Sequence, residues 1–103
     1  MRSSSIAILL FLSSTGCISS RTPHENFIDG AMNGMIGRDI RNNLDYEKFA
    51  RHQLPNGSIE FRISKIMVRG GDPCTLIYEV DPRSYLVLHS SYVGSDKDCV
   101  IPP

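Results

Sequence analysis

Apolar and polar positions follow two different periods along the chain. From Asn26 to Ile36, the apolar residues Phe27, Ile28, Ala31, Met32, Met35 and Ile36 recur at spacings of one, three and four. That is the stripe of an amphipathic helix. Asn26 can cap its start through the side-chain oxygen, and Gly37 is a natural break. Gly30 and Gly34 each lower the intrinsic helical propensity by about 1 kcal/mol relative to alanine, so packing has to hold the segment. Arg38 to Leu44, with Ile40 and Leu44 four apart, predicts a second short helix that Asn42-Asn43 help to end. Tyr46 to Leu54 fits either a short strand or a helical extension.

The turn Leu54-Pro55-Asn56-Gly57-Ser58 follows. The period then changes to two: Ile59, Phe61 and Ile63 alternate with Glu60, Arg62 and Ser64 in a half-buried strand. At Lys65 the alternation slips and puts Ile66 and Val68 on the opposite face, which predicts a bulge or the strand end. After the loop Gly70-Gly71-Asp72-Pro73, Cys74 to Val80 is a further strand. Asp81-Pro82-Arg83-Ser84 is a turn with proline in its favoured second place, and Tyr85 to Val93 is a last strand. Together these elements predict an α+β fold, one or two short N-terminal helices packed on a three- to four-stranded antiparallel sheet.

Residues 1–17 have a different character. Arg2 leads the apolar run Ile6-Ala7-Ile8-Leu9-Leu10-Phe11-Leu12, and the small residues Ser13 to Gly16 deliver the chain to Cys17. This is the layout of an export signal, and its apolar run is too short to span a bilayer. It resembles a bacterial lipoprotein signal. The resemblance implies removal of the signal peptide between Gly16 and Cys17, with Cys17 the lipid-bearing first residue of the mature chain. Ordinary secretory cleavage near the same point would instead leave Cys17 a plain thiol. Acylation with several chains anchors stably, each buried methylene adding about 0.8 kcal/mol. In lipoprotein sorting an aspartate after the cysteine favours the inner membrane; Ile18 in that place points to the periplasmic face of the outer membrane. Residues 18–25 are polar, contain Pro23 and read as a flexible tether to a domain over residues 26–103.

Of 103 residues, roughly 86 then remain, a single small domain for which a covalent staple is useful. Lys plus Arg and Asp plus Glu both number 11. Near-neutrality speaks against a nucleic-acid partner, which needs a clustered basic face, and against a polybasic hold on anionic lipid. With Cys17 set aside, Cys74 and Cys99 form an even pair in an oxidising compartment and are expected to form a disulfide, worth about 3 kcal/mol. In an antiparallel hairpin Cys74 falls near Ser91 or Tyr92, so a loop opening at Gly94 has to turn the tail back to bring Cys99 within reach.

Chemistry-bearing residues form no constellation that points to an enzyme. A cysteine metal pair lacks the close spacing of zinc sites, and His24, His52 and His89 are scattered. His89 and Ser90 are adjacent on a strand and so point to opposite faces. His52 with Asp45 and Glu47 reads as a solvated surface cluster, Asp81, Asp96 and Asp98 lack a calcium-loop pattern, and Gly70-Gly71 lacks the lysine and helix of a phosphate loop. Met32 and Met35 read as core filling. No cofactor, metal or small-molecule substrate is predicted. Tyr78, Tyr85 and Tyr92 leave apolar groups on both faces of the last hairpin. They are a candidate partner surface on the face no helix covers, or they pack with their hydroxyls at the rim.

The leader, the two short helices and the meander resemble the small outer-membrane lipoproteins of the BamE/SmpA type and their uncharacterised relatives. Gly34-Met35 followed by Ile40 matches that family's helix-opening glycine-methionine and the hydrophobic residue five positions on. Leu54-Pro55-Asn56-Gly57 matches the glycine turn that opens its sheet. The resemblance implies a lipid-anchored, non-catalytic envelope protein with an envelope protein as partner. A secreted inhibitor or immunity-type protein that blocks an envelope enzyme is the alternative expectation.

Overall fold

The computed structural model describes residues 21–102. The leader, Cys17 and Ile18 to Ser20 of the expected tether lie outside the described residues. The fold is α+β, with one N-terminal helical segment packed on a four-stranded antiparallel sheet.

That segment, α1, is α-helical over Pro23–Phe27, widens into a π-helical turn over Ile28–Met32 and tightens into a 3-10 turn over Asn33–Met35. It begins earlier than the apolar stripe suggests, and Asn26 does not cap it. Thr22 accepts from the Glu25 N–H, and the Glu25 carboxylate accepts from the Thr22 N–H, a reciprocal box that satisfies two donors at the helix start. Proline in the first turn costs nothing there, because its missing N–H had no helical partner. Pro23 to Glu25 therefore belong to the domain and not to a tether. Gly34 accommodates the wide turn: a Cβ at that position would lie 2.7 Å from the Asp29 carbonyl oxygen. Phe27 and Met32 are buried, and Ile28, Ala31 and Met35 pack against the core, whereas Ile36 is 48% exposed. In place of a second helix at 38–44 there is a 3-10 turn, Ile40–Asn42, whose start the Asp39 carboxylate caps through the Arg41 N–H.

The sheet is a meander of β1 (Ala50–Gln53), β2 (Ile59–Ile66), β3 (Pro73–Val80) and β4 (Val87–Val93), each strand beside the next. The ambiguous segment before the Asn-Gly turn thus resolves into a 3-10 turn, Tyr46–Lys48, and an edge strand. Phe61, Leu76, Tyr78, Val80 and Val87 fill the covered face beneath Phe27, Met32, Ile40 and Phe49. Phe49 meets Phe61 and Tyr78 at ring separations of 6.0 and 5.9 Å.

β2 pairs with β3 in unbroken register from Ile59 to Ile66, so the slip at Lys65 marks the strand end, where Ile66 turns to solvent. The bulge lies elsewhere. Glu79 faces His89 and Val80 faces Val87, leaving Leu88 as the extra residue. Thr75 pairs with Val93, which sets Cys74 beside Gly94, slightly beyond the position expected for it.

Cys74 and Cys99 are disulfide-bonded, their Cα atoms 5.2 Å apart. Gly94 makes room for the bond, since a Cβ there would stand 2.7 Å from the Cys99 sulfur and 3.4 Å from the Cys74 Cα. The loop after it is folded by the N–H groups of Asp98 and Cys99, which donate to the Ser95 carbonyl. Asp98 is buried but satisfied: its carboxylate accepts from the Ser95 hydroxyl at 2.7 Å and from the Asp72 N–H at 3.3 Å.

Candidate functional site

Each tyrosine of the expected partner surface has a different place. Tyr78 is 1% exposed on the covered face, and its hydroxyl donates to the Ala31 carbonyl at 2.7 Å, so it is a core residue and presents nothing to a partner. Tyr92 is half-buried on the same face, edge-on to Phe27 at 5.1 Å. Tyr85 stands outside the sheet in a left-handed conformation, φ 62°, with the Arg41 guanidinium 4.6 Å over its ring. The three do not form one exposed surface, because Tyr78 and Tyr92 lie on the covered face and Tyr85 lies outside the sheet.

The histidines are likewise apart. His24 is held at the junction of the two ends of the domain. Its Nδ1 lies 2.8 Å from the Cys99 carbonyl, and Nε2 faces the Tyr92 hydroxyl at 3.3 Å and Asp96 at 3.5 Å. A cleft of about 870 Å³ opens beside it, walled by Pro23, Met67, Val68 and Val100. His52 and His89 sit at the two ends of a single transverse row on the uncovered face. His52 pairs with Glu60, Glu60 with Glu79, and Glu79 with His89. None of these pairs is legible in a sequence that leaves Tyr46 to Leu54 open between strand and helix; they need the full sheet.

Within that row Glu79 is committed. It accepts from the Ser58 hydroxyl at 2.5 Å and from the Asn56 amide at 3.0 Å, and these bonds hold its carboxyl below the ordinary carboxylate range. Ser58 is buried, and the bond of its hydroxyl to the Glu79 carboxylate anchors the turn to β3. His89 and Ser90 do face opposite ways: His89 is exposed, and the Ser90 hydroxyl donates to the Met32 carbonyl. Asp45 is taken by Lys65 at 2.6 Å, leaving His52 without it. Asp81 caps its own turn through the Arg83 N–H. Among the described residues no group of three or more His, Cys, Asp and Glu is arranged to hold a metal ion.

The remaining feature is the outer edge of β4. Gly37 to Ile40 run antiparallel to its start, with the Gly37 N–H on the Val87 carbonyl, the Val87 N–H on the Arg38 carbonyl and the Ile40 N–H on the Tyr85 carbonyl, at 2.8 to 2.9 Å. Past Val87 no described strand lies on that side. There the edge borders a groove of about 400 Å³ whose apolar wall is Ile28, Met32, Ile36 and Tyr92. Sequence reasoning placed Ile36 in the core and so missed this groove.

No family model, curated protein or solved structure matches the chain.

Proposed function

We propose that the chain is a lipid-anchored protein of the bacterial cell envelope, on the periplasmic face of the outer membrane, that serves as a non-catalytic protein-binding module. The observation that carries this is the Cys74–Cys99 bond downstream of an export-type leader, because such bonds persist in oxidising compartments and are rare in the cytosol. Of the likeness to small outer-membrane lipoproteins, the leader and the meander support the same address; the second helix it called for is replaced by the 3-10 turn Ile40–Asn42. Ser58 bound to Glu79, and His89 turned away from Ser90, support a binding role over hydrolysis.

With Thr22 already capping α1, only Ile18 to Arg21 separate an acylated Cys17 from the folded domain. Fully extended, the links from Cys17 to Thr22 span at most about 18 Å, so the domain rides close against the bilayer.

Labelled palmitate is expected to enter the wild-type protein and not a Cys17→Ala variant, and mass analysis of the exported protein is expected to find Cys74 and Cys99 oxidised. An uncut, reduced, cytosolic product overturns the proposal.

A further inference from the structure

Resting on the binding-module role proposed above, the geometry points to a specific mode of recognition: the edge of β4 past Val87, along which no described strand lies, takes an extended segment of a partner protein as an added antiparallel strand, with alternate apolar side chains lying in the groove against α1. Three observations carry this.

The chain itself already uses the edge. Gly37 to Ile40 form a one-bridge strand on Tyr85 to Val87, and the added pairing stops only because the chain turns away into α1 at Ile36. A partner segment that follows the same line extends a ladder that is already begun.

The two edges of the sheet are finished differently. β1 is four residues long, and Arg51 closes over it, with its guanidinium 4.4 Å above Tyr46 and 5.0 Å above Phe61. A short edge bearing a cation is a common defence against unwanted pairing. β4 is seven residues, Val-Leu-His-Ser-Ser-Tyr-Val, with no Lys, Arg, Asp, Glu or Pro. Apart from the bulge at Leu88, at its start, no described feature of that kind guards it.

Finally, the edge has an apolar wall beside it. Ile36, 48% exposed, stands with Ile28, Met32 and Tyr92 along the groove, while His89 and Ser91 face the open side. A strand laid there presents alternate residues to these two environments, so the fitting partner is an uncharged extended segment with apolar residues at every second position.

The test uses the full chain carrying Cys17→Ala, with its disulfide intact, and a seven-residue probe peptide that alternates valine and threonine between terminal lysines. Binding is expected to shift the amide resonances of Leu88 to Val93 and Ile28 to Ile36 and to slow amide exchange along β4. N-methylation of alternate peptide residues is expected to abolish it. Ile36→Glu, at an exposed site that leaves the melting curve unchanged, is expected to weaken it about tenfold or more. No shifts at millimolar peptide, shifts along β1 instead, equal binding of the N-methylated probe, or self-association through β4 that shuts out the probe would each overturn the proposal. The two readings fail separately. A chain that takes no palmitate yet binds the probe keeps the groove and loses the anchor; a labelled chain that ignores the probe keeps the anchor and loses the groove.

Discussion

Tyr78 carries a hydroxyl into an otherwise apolar layer, and its one hydrogen bond, to the Ala31 carbonyl, ties β3 to α1. Burial, with a smaller contribution from the charge of Asp45, raises its pKa from 10 to about 12. A group whose folded pKa is raised contributes its stability in full below the unfolded value and loses it as pH climbs through the folded one, here between pH 10 and about 12. Tyr78→Phe is expected to cost about 1–2 kcal/mol at neutral pH, because the Ala31 carbonyl is left without its donor. The variant is also expected to lose part of the alkaline fall in stability. Urea midpoints measured from pH 8 to 12 check both. A variant curve parallel to that of the wild type would assign the alkaline loss to other groups.

Among the elements, α1 depends most on its ends. It is short, interrupted by a π turn and carries two glycines, so propensity contributes little, and the Thr22–Glu25 box and the buried Phe27 and Met32 hold it. Thr22→Ala is expected to destabilise the domain by about 1 kcal/mol, read as a lowered melting temperature, with Thr22→Ser close to neutral. The capping signature Thr-x-x-Glu is present in the sequence; it was hidden by a stripe that starts five residues after Thr22, at Phe27. The later strands were far more legible, since Ile59, Phe61 and Ile63 show their face directly, whereas the four residues of β1 are too few to show a period. What periodicity could not supply was the bulge at Leu88, because a one-residue shift leaves two exposed neighbours, Leu88 and His89, that read as ordinary alternation failing. The same limit hid the β4 groove: Ile36 continues the helical stripe in sequence, but the 3-10 turn at Asn33–Met35 swings it out of the core. Tyr78, Tyr85 and Tyr92 could not be sorted without the register, which puts Tyr78 and Tyr92 together on the covered face and leaves Tyr85 outside the strands.

For the molecule as a whole, acid is the relevant stress. Arg41 on Asp39 holds that carboxyl at about 2, Lys65 holds Asp45 low, and Ser58 with Asn56 holds Glu79 low. Depressed carboxyls contribute stability above their ordinary pKa and lose it as pH falls through the folded value, so the melting temperature is expected to drop as pH is lowered from about 5 to 2. High salt is expected to remove much of the contribution of Asp39 and Asp45 while largely sparing that of Glu79, which Ser58 and Asn56 hold by neutral hydrogen bonds with only a smaller contribution from the charge of His89. Melting curves at low and 1 M salt separate the two; identical pH profiles would show that the ion pairs contribute nothing measurable. The two ends of the domain are also knotted together: the Ile101 N–H donates to the Pro23 carbonyl, Asn26 donates to the Ile101 carbonyl, His24 meets the Cys99 carbonyl, and Cys99 is bonded to β3. Tension applied at the amino end would therefore pass from the first helical turn through the tail and a covalent link into a central strand. Cutting that link with a reductant would remove the covalent route, so that the pull falls on the buried Phe27 and Met32 alone and the tail leaves with the helix when they give way.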